Sequence, residues 1–567
     1  MASTATRLML QLFSYIALNK TTIQRDMTKT GGLVIHGSLN SKYSEACAEL
    51  AVIIQQKSHI SSREISELIK EISGRYQLST IPKYTDIMSH MPSNDKNRKM
   101  LIRKPTKSAS GVIVVAIMAK PFDCPHGKCI YCPGGVEFNT PFSYTGKQPV
   151  TKMAQEVDYD ARSQIISKLD RYLMMGHDIS KVELVIVGGT FPFMPLEYQR
   201  HFVKHCYDAL NGDRVLSDTL TEAKALNETS KSRCVGFTVE TKPDYCKSRH
   251  IDIMLELGIT RIEIGVQTLD NAMYKMVNRG HTLADVFEAF QVAKDSGYKI
   301  VAHMMPGLPG STVDKDLQDF MTLFKDPRLM PDMLKIYPTL VLKNTGLYRL
   351  YQKGSYSSFS DEEFVNLLVE IKRITPSWVR IMRIQREIDS DDIVSGPKSG
   401  NIRQILQMRL KEMGIKCNCI RCREAGLRRL KQSNVNPVLK RTDYVSSNGF
   451  ESFLSLEDES TSSLFGFLRL RKLNNPHREE LRTSSGKATA VVRELHVFGQ
   501  LIDIGKKCDS TSFQHRGHGS RLLKEAEDIV KCDFGLDKIS ILSSVGTRDY
   551  YRKFNYHLDG PYMSKTL

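Results

Sequence analysis

The sequence of 567 residues lacks any apolar segment long enough to cross a bilayer, which takes about 20 consecutive apolar residues. The apolar stretch at residues 8–19 is too short. Internal repeats and long low-complexity segments are also absent. With 41% hydrophobic and 25% charged residues, the chain has a globular composition and is not disordered as a whole. We therefore expect a cytoplasmic protein that makes no contact with membranes.

The sequence contains fewer acidic residues than basic residues. The 63 Asp and Glu residues stand against 80 Lys and Arg residues, which gives a net charge of +17. A surplus of this size favours a polyanionic partner, because each contact between a basic side chain and a phosphate releases counterions. A basic surface that only keeps the protein soluble is the alternative, and the charge alone does not decide between them.

The N-terminal region has no acidic residue before Asp26, while Arg7, Lys20 and Arg25 are basic. This pattern is typical of a weak transit peptide, and it equally fits an upstream extension of the chain. We favour the extension, with translation starting at Met27, because no sequence resembling a cleavage site follows. Residues 1–40 are accordingly expected to form a disordered N-terminal extension.

The chain is too long for one ordinary hydrophobic core, and its sequence pattern changes several times. Apolar residues at helical spacing in 41–76, with a capping box that begins at Ser61, indicate a small helical domain. The expected segments are a helical, basic region at 41–108, a domain of alternating strands and helices at 109–385, an irregular linker rich in Cys and Arg at 386–440, and an α+β domain at 441–567.

A run of basic residues lies between the helical region and the first predicted strand. As a solvated linker such a run needs no partner, but its position directly before a cysteine motif favours contact with RNA. Its members are Lys96, Arg98, Lys99, Arg103, Lys104 and Lys107.

Between residues 111 and 385, short runs of β-branched residues alternate with amphipathic stretches such as Leu283–Ser296. This alternation predicts a parallel sheet, either open or curled into a partial barrel. Ligands of such sheets bind at the carboxyl ends of the strands, so polar residues that follow a strand are candidate site residues. The predicted strands are Gly111–Met118, Val182–Val187, Cys234–Val239, Arg261–Val266, Lys299–His303 and Leu334–Tyr337.

The loop after the first strand carries Cys124, Cys129 and Cys132. Three thiolates on one loop can hold three corners of a 4Fe–4S cluster, which leaves the fourth iron to chelate the amine and carboxylate of S-adenosylmethionine (SAM). A zinc knuckle is the alternative, but zinc sites require four ligands and the nearest candidate, His126, lies inside the loop. The motif resembles that of the radical SAM superfamily, although the intervals are four and two residues instead of the usual three and two.

The superfamily resemblance implies that electron transfer into the sulfonium of SAM releases a 5′-deoxyadenosyl radical. It also gives the polar turns after the later strands a role in cofactor binding. Thr190 stands where the superfamily carries Glu, so backbone carbonyls are expected to accept from the methionine amine. Glu240 is expected to bind the ribose hydroxyls or the amine, whereas in isolation it is only a salt-bridge partner. The turn residues concerned are Gly188, Gly189, Glu240, Gln267 and His303.

The C-terminal domain contains a glycine turn that opens a helix. The pyrophosphate of coenzyme A fits such a turn, because the backbone N–H groups and the helix dipole both attract anions; an ordinary turn before a surface helix is the alternative. With the preceding strand and Tyr551, the pattern resembles the GNAT acetyltransferases, which implies that Tyr551 is the catalytic general acid for the leaving thiolate. The residues implied to bind acetyl-CoA are Glu494, Leu495, His496, Val497, Gln514, Gly517, His518, Gly519, Ser520 and Tyr551.

A second cysteine cluster, Cys417, Cys419 and Cys422, lies in the linker. Clustered thiols in a chain of this length indicate metal ligands in a reducing compartment, so we expect a structural zinc ion with an unknown fourth ligand. Unliganded surface thiols are the alternative. Basic residues around the cluster are predicted to form a seam along which RNA lies. They are Arg380, Arg383, Arg386, Arg421, Arg423, Arg428, Arg429 and Lys431.

Strings such as YCPGG, VGGTF, ETKPDYC, NRGHT, RELHVFG and VGTRDYYRKFNY occur in the order of the Elongator catalytic (third) subunit family, which the chain resembles over about residues 40–567. The implied fold class is α/β: a radical SAM partial (β/α) TIM-like barrel, a zinc-containing linker and an α+β GNAT domain. The implied activity is an acyltransferase reaction in which acetyl-CoA supplies a carboxymethyl group to C5 of wobble uridine 34 of tRNA.

The same resemblance implies that Lys181 is a catalytic residue that binds acetyl-CoA from within the radical SAM domain, although by itself it is an ordinary solvated charge. It also implies that the basic region at 41–108 binds tRNA and that an electron donor supplies the cluster. The cluster at Cys417 indicates the archaeal or bacterial type, which is expected to work without other Elongator subunits.

Two other functions remain open at this stage. A protein lysine acetyltransferase that uses only the GNAT domain would have an acidic or peptide-binding groove, and it gives no role to Glu240 or Lys181. A non-catalytic RNA-binding scaffold would have eroded motifs, and none of the three clustered cysteines of the first motif is missing. We therefore predict the tRNA-modifying enzyme.

Overall fold

The computed structural model describes residues 41–58, 60–92, 95–428, 436–499, 501, 514 and 516–567. The predicted N-terminal extension at 1–40 lies outside the described residues, as do Arg429 and Lys431 of the predicted basic seam and the side chains of Lys96 and Lys99. The chain divides into two compact units, Met1–Arg103 and Lys104–Leu567. Within the described residues, no helix combines the length and apolarity needed to cross a membrane.

Three α-helices lie in the described part of the first unit: α1 (Ser41–Gln56), α2 (Ser62–Arg75) and α3 (Tyr84–Ser89). Their buried apolar residues recur three or four positions apart, as in Ile65, Ile69 and Ile72, because one stripe of an amphipathic helix faces the core. The predicted capping box is confirmed: the Glu64 amide donates to Ser61 Oγ at 3.2 Å, and the Ser61 amide donates to Glu64 Oε2 at 2.7 Å.

The second unit contains a seven-stranded sheet in the order β1-β2-β3-β4-β5-β6-β8, with all neighbours parallel. All six strands predicted from β-branched runs are present, and β8 is the strand that the sequence analysis missed. The strands are β1 (Ile113–Met118), β2 (Lys181–Val187), β3 (Arg233–Thr241), β4 (Arg261–Gln267), β5 (Lys299–Met304), β6 (Met333–Ile336) and β8 (Arg380–Arg383). A two-stranded sheet, β7 (Val341–Leu342) with β9 (Ile393–Ser395), lies apart from it.

Helices connect the parallel strands, as right-handed β-α-β crossovers require. The apolar face of the sheet, with Leu184, Phe237 and Ile262, shares one hydrophobic core with these helices. The helices are α4 (Pro149–Glu156), α5 (Ala161–Met174), α6 (Leu196–Asn211), α7 (Leu220–Asn227), α8 (Ser248–Glu256), α9 (Asn271–Met276), α10 (Leu283–Asp295), α11 (Val313–Lys325), α12 (Gly346–Gln352) and α13 (Asp361–Ile374).

The opposite face of the sheet is polar. In β4, Ile262 and Ile264 alternate with Arg261 and Glu263, so the two charged residues share the face away from the helices. Parallel pairing aligns Glu240 of β3 with Glu263 of β4. Polar residues on neighbouring strands therefore converge inside the partial barrel, and the predicted fold class is confirmed.

The prediction of an irregular linker at 386–440 is wrong where helices form. Helix α14 occupies Ile402–Glu412, and two short helices, α15 (Ile420–Arg423) and α16 (Ala425–Arg428), follow. Helix α14 forms because Ile402, Leu406 and Leu410 lie four residues apart and bury one stripe in the core. The charged residues between them masked this period in the sequence.

The C-terminal sheet has seven strands in the order β10-β11-β12-β13-β14-β16-β15, antiparallel except between β13 and β14. The predicted strands at 464–470, 491–497 and 538–543 are present, while the long hairpin β10–β11 was missed. The strands are β10 (Val438–Ser446), β11 (Gly449–Glu457), β12 (Leu464–Lys472), β13 (Ala490–Val497), β14 (Lys538–Ile541), β15 (His557–Asp559) and β16 (Tyr562–Thr566), with helices α17 (His518–Asp528) and α18 (Arg548–Arg552).

Strands β13 and β14 separate soon after they meet. Their pairing covers Ala490–Val492 only, because β14 ends at Ile541 while β13 continues to Val497. The backbone of Arg493–Val497 therefore borders an opening between the two strands. Glu494–Val497, which are predicted to bind acetyl-CoA, lie in the part of β13 that does not pair with β14.

Buried ion pairs connect the two sheets within the second unit. Arg493 of β13 donates to both carboxylate oxygens of Asp332, at 2.6 and 2.7 Å, and also to Glu451 at 2.8 Å. Arg471 of β12 pairs with Asp295, the last residue of α10, at 2.6 Å. Both arginines are completely buried, so the opposite charges of the carboxylates must offset their loss of hydration.

Candidate active site

The three cysteines after β1 line a cavity of about 720 Å³, the size of a site for a small molecule or cofactor. Cys129 and Cys132 are buried, and Cys124 is partly exposed. The cavity is also lined by the residues predicted from the polar turns that follow the later strands. These are Gly189, Glu240, Gln267 and His303. The cysteine loop and four turns that are distant from it in sequence thus meet at the carboxyl ends of the strands.

The distances between the sulfur atoms distinguish the two cysteine clusters. Tetrahedral zinc with Zn–S bonds of about 2.3 Å holds its sulfurs about 3.8 Å apart. Cys417, Cys419 and Cys422 are compatible with this distance, since their sulfurs all lie within 4.8 Å of one another. Cys124, Cys129 and Cys132 do not form such a group among the described residues, so they suit a larger group that several thiolates hold at once.

The cavity wall holds buried polar atoms that have no partner among the described residues. They include the Tyr131 hydroxyl, Gln267 Oε1 and Arg279 Nε. Buried polar atoms are paired in folded proteins, so these three atoms indicate a missing polar ligand. The donor chemistry, three thiols with hydrogen-bonding groups around them, fits a 4Fe–4S cluster with SAM.

The thiols differ in acidity. The hydrogen bond from Cys132, then the hydrogen bond from His126 and the charge of Arg279, hold the pKa of Cys129 well below its usual range despite burial. Burial raises the pKa of Cys124 to about 11. The thiolate is the form that binds iron, and His126 and Arg279 both favour it at Cys129.

Glu240 is held by the glycine turn after β2. The amides of Gly188 and Gly189 donate to Glu240 Oε2 at 3.1 and 3.2 Å. Both glycines have positive φ, 125° and 107°, which glycine adopts without strain. The turn therefore orients the Glu240 carboxylate, which is predicted to bind the ribose or the amine of SAM.

A buried charge cluster on the cavity wall was not found by sequence reasoning. Glu263 Oε2 accepts from His303 Nε2 at 2.8 Å and from Lys335 Nζ. Although burial acts to raise it, the nearby Lys335 ammonium and the His303 hydrogen bond hold the pKa of Glu263 well below its usual range. The alternation of charged and apolar residues in β4 indicated that Glu263 faces away from the helices. Its partners His303 and Lys335 lie on other strands, so the sequence of β4 did not reveal them.

Lys181, the first residue of β2, reaches the C-terminal glycine turn. Its Nζ donates to Gln514 Oε1 at 3.2 Å, and Gln514 Nε2 donates to Val497 O at 3.1 Å. The His496 ring contacts Ser110 O at 2.9 Å. Residues that the sequence analysis assigned to acetyl-CoA from two domains are thus in direct contact.

The remaining residues that are predicted to bind acetyl-CoA lie either beside the opening between β13 and β14 or in the hydrophobic core. Leu495 and Val497 are partly exposed along β13, and Glu494 pairs with buried Arg469 at 2.9 Å. Tyr551 packs in the hydrophobic core of the sheet, where burial raises its pKa. Tyr550 lies closer to the turn, since a Cβ on Gly519 would come within 2.5 Å of its hydroxyl.

The glycine turn leads directly into α17. Gly517 is the N-cap, with φ of 80°, and the helix begins at His518. Ser520 Oγ donates to Gly517 O at 2.8 Å and closes the first turn. The free amides of this first turn are the groups that the predicted pyrophosphate contact requires.

The linker cysteines surround a buried lysine. Lys372 Nζ of α13 lies 3.5 Å from Cys419 Sγ and 3.4 Å from Cys422 Sγ. Within the described part of the chain, no His, Asp, Glu or further Cys joins the three sulfurs as a fourth ligand.

The predicted RNA-binding residues have different surroundings. Arg98 donates to the carbonyls of Met88 and Met91 at 2.7 and 2.9 Å, so its guanidinium is used within the first unit. Lys104 lines the cysteine cavity, as do Lys107 and Lys168. The backbones of Lys96 and Lys99 belong to a 3₁₀-helix, Lys96–Leu101, and Arg103 ends the first unit.

The predicted basic seam is partly structural. Arg423 pairs with Glu457 at 2.5 Å, Arg380 pairs with Glu424 at 2.5 Å, and Arg428 donates to Thr461 O at 2.6 Å. A second cavity of about 600 Å³ adjoins the first. Arg383 and Arg386 line both cavities, and Arg403 and Arg421 line the second.

Family comparisons agree with this arrangement. The sequence matches the models of the Radical SAM superfamily at residues 121–324, the Radical SAM C-terminal domain at 331–412 and the ELP3 N-terminal domain at 43–109. The superfamily implies a 4Fe–4S cluster and SAM, which the cysteine cavity fits.

Individual relatives cover most of the chain. Elongator complex protein 3 of Homo sapiens is 41% identical over 519 residues, 89% of this chain and 93% of the relative, and that of Schizosaccharomyces pombe is 41% identical over 541 residues, 92% and 98%. The solved structure of the archaeal Methanocaldococcus infernus Elp3 with an N-terminal deletion superposes with a TM-score of 0.71 at 39% identity, covering 81% of this chain and 100% of that one. The chain therefore belongs to the Elongator complex protein 3 family, within the radical SAM superfamily.

Proposed function

We propose that this protein modifies tRNA by radical SAM chemistry, using acetyl-CoA to install a carboxymethyl group at C5 of wobble uridine 34. The observation that carries the proposal is the hydrogen bond of 3.2 Å between Lys181 on the barrel and Gln514 on the glycine turn. This contact joins the two parts of the reaction within one compact unit. An independent acetyltransferase domain would have no need of it.

Cys124, Cys129 and Cys132 would hold the cluster, and Glu240 would accept from the ribose hydroxyls or the amine of SAM. When bound, these cofactors supply the radical that removes a hydrogen atom from the acetyl methyl group. That carbon would replace the hydrogen at C5 of uridine 34, with loss of the C5 proton and of one electron to a one-electron acceptor such as the oxidised cluster. Water would then cleave the thioester, which releases coenzyme A and leaves the carboxymethyl group.

Acetyl-CoA would bind in the opening between β13 and β14, with its pyrophosphate at the first turn of α17. The backbone of Leu495–Val497 borders this opening, and Lys181 would orient the acetyl group from the barrel side. Tyr551 would donate a proton to the leaving thiolate, since a tyrosine phenol is protonated at neutral pH.

The tRNA would lie across the two adjoining cavities. Their basic lining can neutralise several phosphates, and each such contact contributes through counterion release. The anticodon base would enter the first cavity, which contains the cysteines. The residues proposed for these contacts are Lys104, Lys107, Lys168, Arg383, Arg386, Arg403 and Arg421.

We also propose a structural zinc ion at Cys417, Cys419 and Cys422. Zinc with three thiolates carries a net charge of −1, and the buried Lys372 ammonium beside two of the sulfurs offsets it. The ion would fix the segment 417–422, and the Lys372 ammonium beside two of its sulfurs would link this segment to α13.

The function is tested with protein purified anaerobically and supplied with SAM, dithionite, acetyl-CoA and tRNA. Formation of 5′-deoxyadenosine, hydrolysis of acetyl-CoA and carboxymethylated uridine in digested tRNA are expected together, and only with tRNA present. Acetylation of a protein substrate without tRNA, SAM or iron would instead identify a lysine acetyltransferase and overturn the proposal.

Exchange of Lys181 for Met is expected to lower carboxymethylation about 10- to 100-fold at subsaturating acetyl-CoA, because a hydrogen bond from a charged group contributes about 1.5–3 kcal/mol. Iron content and SAM binding are expected to stay unchanged. Rates over a range of acetyl-CoA concentrations measure the effect, and Lys411→Met, an exposed lysine on α14, is the matched control. Equal rates in both variants would remove Lys181 from the site.

Exchange of Tyr551 for Phe is expected to slow acetyl-CoA hydrolysis about 100- to 10,000-fold, the range for loss of a general acid. Tyr550→Phe is the matched control and is expected to retain activity within a few-fold. Coenzyme A release under tRNA saturation measures both. The opposite order of effects would assign the proton transfer to Tyr550, the tyrosine in contact with the glycine turn.

A further inference from the structure

The segment 544–552 joins the hydrophobic cores of the two sheets. It follows β14 and ends in α18, the helix that carries Tyr550 and Tyr551. Val545 is fully buried among the apolar residues of the barrel, whereas Tyr551 is buried among those of the C-terminal sheet. The first half of the segment therefore packs in one domain and the second half in the other.

Strand β3 of the barrel holds the first half of this segment. Ser544 Oγ donates to Cys234 O at 2.7 Å. Gly546 lies so close to β3 that a Cβ there would come within 2.6 Å of Arg233 Cβ and 2.8 Å of Cys234 O. A side chain at position 546 would therefore force the segment away from the strand.

Ion pairs hold the second half of the segment. Glu228, the C-cap residue of α7, accepts from Arg548 Nη1 at 2.9 Å, and its other carboxylate oxygen lies 2.6 Å from Arg552 Nη1. Asp549 lies 3.7 Å from Arg233 of β3. The side chains of Glu228 and Arg548 are only 12% and 10% exposed, so salt screens their attraction little. Three of the five residues of α18 are thus tied to the barrel.

The loop that carries Glu228 has a fixed shape. Asn227 is completely buried, and its side-chain amide donates to Ser232 O at 3.1 Å and accepts from the Cys234 amide at 2.8 Å. These hydrogen bonds close the turn between α7 and β3. Glu228 is therefore fixed relative to the barrel, and a carboxylate on a fixed loop can locate the helix with which it pairs.

Helix α18 in turn reaches the residues assigned to acetyl-CoA. The Tyr550 hydroxyl would lie 2.5 Å from a Cβ on Gly519 of the glycine turn, and Tyr551 is the proposed general acid. A general acid must lie within hydrogen-bond reach of the leaving group. A shift of about 1 Å in α18 can therefore cost about 100-fold in rate.

We propose that Glu228 is a positioning residue for the hydrolysis of acetyl-CoA. From the barrel it holds α18, and with it Tyr551, in place beside the opening between β13 and β14. Hydrolysis of the thioester then depends on the barrel as a scaffold, and the C-terminal domain alone lacks a fixed α18. The inference rests on the proposed function, since it takes Tyr551 as the proton donor to the leaving thiolate.

The test compares Glu228→Gln with the wild type in the full-length protein saturated with tRNA. The exchange removes the charge that both arginines face and keeps the size of the side chain. The kcat of coenzyme A release is expected to fall about 10- to 100-fold. The KM for acetyl-CoA is expected to stay within about threefold, because the pyrophosphate contact at α17 is untouched. Glu197→Gln, an exposed carboxylate on α6, is the matched control and is expected to change neither constant.

Equal kcat values in Glu228→Gln and Glu197→Gln would overturn the proposal. Loss of bound iron and of SAM binding together with kcat would also overturn it, because that pattern indicates a disrupted barrel instead of a displaced α18. Should Glu228→Gln fail to fold, Arg552→Gln decides by the same assay. Arg552 is 41% exposed, so its exchange leaves the core intact, and a loss of about threefold in kcat is expected.

Amide hydrogen exchange separates failure of this inference from failure of the proposed function. Exchange at 548–552 is expected to be faster in Glu228→Gln than in Glu197→Gln, whether or not the protein turns over acetyl-CoA. A wild-type protein that releases no coenzyme A, with this difference in exchange, would refute the proposed function and leave the anchoring of α18 by Glu228 standing. Equal exchange in the two variants would refute the anchoring itself.

Discussion

Cys129→Ala is expected to abolish both carboxymethylation of tRNA and formation of 5′-deoxyadenosine, and to lower the iron bound after anaerobic reconstitution. Loss of outer partners of a metal site costs about 10- to 100-fold in affinity or activity, so loss of a ligand should exceed about 100-fold. Cys129 is also the thiol whose pKa is held well below its usual range, first by the hydrogen bond from Cys132.

The matched control is Cys206→Ala on α6. Cys206 is buried in the core, and burial raises its pKa well above the usual range, so it is an inert structural thiol. Iron analysis, the visible absorbance of the cluster and digestion of the tRNA product measure the outcome. A Cys129→Ala protein that still modified tRNA at the wild-type rate would disprove both the cluster assignment and the proposed reaction.

Asp332→Asn is expected to destabilise the junction of the two sheets by about 3–5 kcal/mol, because it leaves buried Arg493 and Arg469 without their shared counter-charge. Both arginines are fully buried, and Asp332 lies between them at 2.6 and 3.6 Å. Despite burial, these guanidinium groups hold the pKa of Asp332 well below its usual range. Because the folded pKa is below the unfolded one, the ion pairs stabilise fully at neutral pH and weaken below about pH 4.

Hydrogen exchange of β11, β12 and β13 in urea measures this effect element by element, which is needed because so large a chain does not unfold in one step. Glu256→Gln is the control, since Glu256 pairs with Arg200 and both side chains are more than 40% exposed. An exposed pair contributes about 0–1 kcal/mol, so little change is expected there. Equal exchange in the two variants would show that water compensates the charges at the junction.

The contrast between helix α14 and strand β4 shows where sequence patterns suffice. Strand β4 was predicted within one residue because three of its seven positions are β-branched and they recur with a period of two. Helix α14 was missed although its apolar residues have a regular spacing, because arginine, lysine and glutamine fill the turns between them. Its burial depends on α13, and no local pattern in 402–412 encodes that partner.

Cys124, Cys129, Cys132 and Glu240 could be selected from the sequence because residues that follow successive parallel strands must meet at one edge of a sheet. Arg493 shows the opposite case. It lies beside the residues assigned to acetyl-CoA, but its side chain enters the ion pairs with Asp332 and Glu451. Its neighbours in sequence therefore gave no information about its partners.

The sequence by itself determined the strands, the order of the site-bearing loops and the two cysteine clusters, because these depend on local periodicity and on spacing along the chain. Only the tertiary structure decided which side chains meet: Lys181 with Gln514, Glu263 with His303, and Arg279 with Cys129. The members of each pair are separated by 40 to more than 300 residues. Such contacts arise from packing of the whole sheet, and packing is a property that no segment of the sequence has alone.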